Sequence, residues 1–126
     1  MDLENFASKL EADLIGTIGT DIYMYKMSDL VTEGILFVEP EEGATIDYEL
    51  EGYFNAKFQV IVRSTDYDAG KVKADSVMTS LTVYNQALGN YAVKYVRPRT
   101  EAISNQTSEG NHIEFLLNFE TIYVKT

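Results

Sequence analysis

Tyr53-Phe54-Asn55-Ala56-Lys57-Phe58-Gln59-Val60-Ile61-Val62-Arg63-Ser64 is the stretch on which the fold turns. Phe54, Ala56, Phe58, Val60 and Val62 fall on one side of it, and Asn55, Lys57, Gln59, Ile61 and Arg63 on the other. A period of two with one apolar side predicts a half-buried strand, the clearest in the chain. Directly after it, Thr65 or Asp66 can cap a helix, with Asp68 near an orphan amide of the first turn. Ala69, Val72, Ser76, Val77, Ser80 and Leu81 form one stripe of that helix, with Lys71, Asp75 and Thr79 opposite. The small Ser and Ala positions suit close packing on a sheet.

Upstream, Asp2 is placed as an N-cap, and Leu3, Phe6, Leu10 and Leu14 recur at helical spacing, which predicts an amphipathic helix ending at Gly16. Ile22-Tyr23-Met24-Tyr25 and Ile35-Leu36-Phe37-Val38 read as two short strands, the second stopped by Pro40. Downstream of the Gly89-Asn90 turn signal, Tyr91, Val93 and Tyr95 alternate with Ala92, Lys94 and Val96 as far as Pro98. The polar stretch from Arg99 to Asn111 is expected to be a mobile loop. From His112 to Val124, Ile113, Phe115, Leu117 and Phe119 share one face and Leu116, Ile122 and Val124 the other. Apolar residues on both faces predict a central strand, or one face covered by another chain.

The element order predicts a single α+β domain over residues 1–126. We expect a mostly antiparallel β-sheet of four to five strands with two helices packed on one face. Tyr53, Ile61, Leu116 and Ile122 fall on the face away from the helices and favour a neighbouring molecule there.

Composition supports a folded chain: 126 residues, 45% hydrophobic, with nine Tyr and six Phe. The 20 acids against 10 bases give a formal charge of −10, which counts against readers of nucleic acid and binders of anionic membranes. Residues 1–51 hold 13 acids and two bases, a net of −11, whereas residues 52–126 are at +1. With no Cys there is no disulfide, cysteine nucleophile or thiolate metal site, which fits a reducing cytoplasm. The acidic start Met1-Asp2-Leu3-Glu4 is not expected to be a secretory signal.

Chemistry-bearing patterns are weak. His112 is the lone histidine, has no nucleophile context, and reads as a surface residue opening a strand. Asp66-Tyr67-Asp68-Ala69-Gly70 resembles the start of a calcium loop, but the twelfth place, which needs a bidentate Glu, is Val77, so helix capping explains the aspartates better. Gly16 and Gly19 lack phosphate-loop spacing. No catalytic, cofactor-binding or metal residues are assigned, and no enzyme activity is expected. The candidate partner interface is instead electrostatic. It comprises Glu39, Glu41, Glu42, Asp47, Glu49 and Glu51, read as either a solvated loop or a surface that meets a basic partner, and the basic cluster Lys94, Arg97 and Arg99, read as either a solvated strand end or a docking patch for the acidic segment of a neighbouring copy.

Three stretches carry a resemblance. Leu14-Ile15-Gly16-Thr17-Ile18-Gly19-Thr20-Asp21-Ile22-Tyr23 runs from the helix into the first strand. Phe58-Gln59-Val60-Ile61-Val62-Arg63-Ser64 leads into the second helix, and Ile113 to Tyr123 closes the chain with an Asn118-Phe119 to Tyr123 ending. In order and spacing these resemble the minor capsid and tail terminator proteins of long-tailed phages. The resemblance implies a non-enzymatic virion protein, made in the host cytoplasm and placed at the head–tail junction. It would form a hexameric ring that caps the tail tube, ends its polymerisation and offers a surface to a neck or head-completion protein, with itself and the tube protein as partners. The alternative is a cytoplasmic α+β domain that binds a small ligand, or a carboxylate-based hydrolase.

Overall fold

A computed structural model describes residues 1–39, 43–46, 51–106 and 112–126. The elements are α1 (Glu4–Ala12), β1 (Ile22–Met24), β2 (Gly34–Val38), β3 (Thr45–Ile46), β4 (Tyr53–Ser64), α2 (Tyr67–Leu81), β5 (Val83–Leu88), β6 (Tyr91–Pro98), β7 (Ile103–Gln106) and β8 (Ile113–Lys125). The sheet runs β1-β2-β4-β8-β6-β5, with β3 beside β4 and β7 beside β8. Every pairing among these strands is antiparallel except β1 with β2.

Among the described residues the chain is α+β with two helices, as expected, but the sheet has eight strands and not four to five. Each addition lacks the period-two signal. β3 is two residues long, and β5 is an edge strand whose middle residues are exposed and which turns left-handed at Asn85 (φ 50°). β7 lies in the polar stretch expected to be a mobile loop, yet Ile103 to Gln106 pair with Leu116 back to Ile113. Residues 107–111 of that stretch lie outside the described residues. Both long strands therefore carry two shorter neighbours on their outer edges.

β4 and β8 pair from Tyr53 with Val124 through to Ser64 with Ile113. This register puts Phe54, Ala56, Phe58, Val60 and Val62 on the same face as Tyr123, Thr121, Phe119, Leu117 and Phe115. Rings stack across the strands there: Phe58 lies 5.2 Å from Phe119 and 6.2 Å from Phe37, and Phe6 of α1 caps the row at 4.9 Å from Phe58. α2 covers the same face, seating Gly70 against Phe115 and Ser64. The apolar side of β4 thus becomes the core between sheet and helices, as its alternation dictates.

Four details depart from the sequence reading. α1 stops at Ala12 rather than Gly16, because Leu14 turns left-handed (φ 59°) while the Ile15 amide donates to Leu10 and the Leu14 amide to Glu11, the pattern of a Schellman cap. The buried stripe of α2 is Gly70, Ala74, Val77, Ser80 and Leu81; Ala69, Val72 and Ser76 face solvent, since the glycine permits the closest approach to the sheet. In β6 the register shifts between Val93 and Tyr95, so Val93 opposes Tyr123 and Val96 opposes Thr121 on the core face, while Tyr95 opposes Ile122 on the other. His112, expected at the surface, is buried, because β7 draws alongside the start of β8.

Candidate functional site

No helix among the described residues lies over the second face of the sheet. The connection from Tyr25 to Glu33, which joins parallel β1 and β2, is tied to one end of it by Arg63. The Arg63 side chain is 8% exposed; Nη1 donates to the carbonyls of Ser28 and Val31, each at 2.9 Å. Its Nε and Nη2 donate to Glu114 Oε2 at 3.1 and 3.0 Å. A buried guanidinium is tolerated here because a carboxylate and two carbonyls satisfy it. Toward the middle of the face, Gln59 Nε2 donates to Asn118 Oδ1 at 3.0 Å.

Beyond that pair the face is aromatic and basic. Lys94 Nζ stands 5.7 Å from the Tyr53 ring centre, and the Arg97 guanidinium lies 4.3 Å from the Tyr95 ring. Arg97 Nε also donates to Glu120 Oε1 at 2.6 Å, which holds the guanidinium charged above its ordinary range. Tyr84 is 62% exposed, Lys57 is exposed, and Tyr53, Ile61, Leu116 and Ile122 are half-buried without a covering layer from the described residues.

The candidate interface residues are distributed unevenly. Lys94 and Arg97 lie on this open face, and Arg99 follows β6, exposed, with its amide donating to the Asn118 carbonyl at 2.7 Å. Glu39 is turned elsewhere: it pairs with the Met1 amine at 3.3 Å. Glu51 is exposed in the turn before β4, and Glu41, Glu42, Asp47 and Glu49 lie outside the described residues. Sequence reasoning missed Tyr95 and Tyr84 as members of the open face. Tyr95 is displaced by the bulge, and Tyr84 belongs to a strand with no alternation; the odd side of β4, with Tyr53, Lys57 and Ile61, and Leu116 and Ile122 of β8 were legible.

Asp66 accepts from the Ala69 amide at 3.1 Å, so it caps α2. Among the described residues no group of three or more His, Asp and Glu is arranged to hold a metal. The open face can bind a surface of complementary shape and charge.

Residues 9–125 match the family model described as bacteriophage tail terminator protein. Among solved structures the chain is similar to one from the virion of a native gene transfer agent particle. That likeness has a TM-score of 0.68 and 17% identity, covering 96% of this chain and 92% of the other, and it is a likeness of fold. No curated protein matches the chain.

Proposed function

The chain belongs to the bacteriophage tail terminator family and is a structural protein of the phage tail, and from that premise we propose that it assembles into a ring, hexameric in the finished virion, that caps the tail tube. The cap ends polymerisation and presents the surface to which the head is joined. In this reading residues 1–126 act as one non-enzymatic domain located at the head–tail junction. Its partners are further copies of itself, the tube protein and a neck or head-completion protein.

The observation that carries the reading is the family match over nearly the whole chain. The sheet face left half-buried at Tyr53, Ile61, Leu116 and Ile122 among the described residues adds support, since a covering neighbour would remove that apolar surface from water. The acidic segment with Glu39, Glu41, Glu42, Asp47, Glu49 and Glu51 serves as the surface toward the tube or neck. Lys94, Arg97 and Arg99 serve as the surface toward a neighbouring copy.

The test is direct. Purified chain is added to self-polymerised tail tubes, and tube ends and lengths are scored by negative-stain imaging. Capped ends and arrested elongation are expected. Tubes that keep elongating with bare ends at a molar excess of the protein would refute the capping role.

A further inference from the structure

We propose that the open sheet face of one copy receives, from the next copy, an aliphatic knob at the junction of α1 and α2 formed by Leu14, Ile15 and Val72. This rests on the self-assembly proposed above and names the surface that meets the basic face.

Leu14 is the first observation. It sits in the left-handed region (φ 59°), where glycine is the usual occupant, and its side chain is 92% exposed. A leucine there strains the backbone and adds nothing to the core, the kind of outlier that points to a role outside the monomer. Beside it, Ile15 and the 66% exposed Val72 line a shallow groove with Asp13, Asp75 and Thr79. Leu14 and Ile15 also wall an adjoining hollow with Glu11 and Asp21. Three of these carboxylates are held in place: Glu11 accepts from the Ile18 amide at 2.8 Å, Asp21 from the Thr17 amide at 2.6 Å, and Asp13 from Ser80 Oγ at 2.5 Å. Aliphatic surface rimmed by fixed carboxylates suits the alkyl stems and charged heads of Lys and Arg, and the faces of tyrosines.

The same chain carries that complement on the other side of its sheet, in Lys57, Lys94 and Arg97 among Tyr53, Tyr84 and Tyr95. Opposite charge on opposite layers is the geometry of a head-to-tail contact, which closes into a ring when the rotation allows. Of the acidic stretch, the described Thr45 shares a pocket with Lys57 and Tyr95, and Glu51 precedes Tyr53, over which Lys94 stands, so these two residues flank the basic face of their own copy.

Sedimentation velocity over a concentration series tests the pairing. Wild type is expected to associate. Leu14→Gly should raise the melting temperature yet weaken association by about tenfold, a split that a purely structural role does not produce. Asp75→Lys and Lys94→Glu should each weaken it about tenfold, and the double variant D75K/K94E should recover to within about threefold of wild type. A wild type that stays monomeric throughout, single variants that associate like wild type, or a double variant that fails to recover would each overturn the pairing. Tube capping by the same proteins separates the two readings. Capped tubes with unchanged association in the variants leave the terminator role standing and remove this contact.

Discussion

The backbone of Gly89 approaches the Asn5 side chain so closely that a Cβ on Gly89 would stand 1.9 Å from Asn5 Oδ1 and 2.7 Å from its Cγ. Gly89 also turns left-handed (φ 58°), and Asn5 Nδ2 donates to Asn90 Oδ1 at 2.7 Å, locking α1 onto the β5–β6 turn. Gly89→Ala combines backbone strain with loss of that lock and should cost about 2–3 kcal/mol. Thermal unfolding checks it; in an Asn5→Ala background the penalty should fall toward about 1 kcal/mol, the strain alone.

Gly70 inverts the usual helix rule. A glycine inside a helix normally gains about 1 kcal/mol on replacement by alanine. Here the new methyl would lie 2.6 Å from Phe115 Cε2 and 2.9 Å from Ser64 Cβ. Gly70→Ala should therefore destabilise by about 1–3 kcal/mol, and Phe115→Leu should relieve part of the loss when the two are combined. Urea titrations of the two single variants and the pair measure this.

Arg63 ties residues 25–33 to the sheet through Ser28, Val31 and Glu114. Arg63→Met leaves two carbonyls and a half-buried carboxylate without their donor and should cost about 3–5 kcal/mol. Amide exchange should accelerate in residues 25–33 more than in β4. Arg63→Lys retains the charge but not the fork, so it should recover only part of the protection.

Leu14→Gly removes left-handed strain from the α1 cap without taking an apolar group out of the core. Unfolding free energy should rise by about 1 kcal/mol. A loss of stability would show that the Leu14 side chain holds the fold after all.

Asp13 links the helices, accepting from Lys9 and from Ser80 Oγ, and the Lys9 ammonium followed by Ser80 holds its carboxyl below the ordinary value of 3.8. A folded-state pKa that is depressed contributes stability present above the unfolded value and lost as pH falls through the folded one. Wild type should therefore melt above Asp13→Asn at neutral pH, and the gap should close below about pH 3.8, the unfolded value at which the loss begins. Melting curves of both proteins across that window decide it.

Legibility followed burial. β4 could be read from residues 53–64 because one side is apolar and buried over most of its length while the other is mostly polar and open as far as Arg63, so hydrophobicity itself records the period. β8 was readable as central because both of its faces carry apolar residues. α2 was readable at its start, where Asp66 caps it, and in its second half, where Val77, Ser80 and Leu81 are buried as expected, but not in its first half, since the deepest contact there belongs to Gly70, which has no side chain to signal it. β7 left no trace because its pairing is backbone to backbone and asks little of Ser104 and Asn105. The interface residues were legible as charges and not as a surface. Charge along the chain does not say which side of a sheet a residue will face.

By itself the sequence determined the class of fold, the long strand at its centre, the side of that strand that would be core, and a motif order that resembles the tail terminator family. These follow from local periodicity and spacing, which the chain carries wherever it goes. Only the tertiary structure decided that the bulge near Lys94 sends Val96 inward and Tyr95 outward, and that Leu14 ends α1 as an exposed knob. It alone placed the basic aromatic face and the acid-rimmed aliphatic patch on opposite sides of one sheet. Those outcomes depend on register between strands far apart in the chain, and no window of sequence contains both partners.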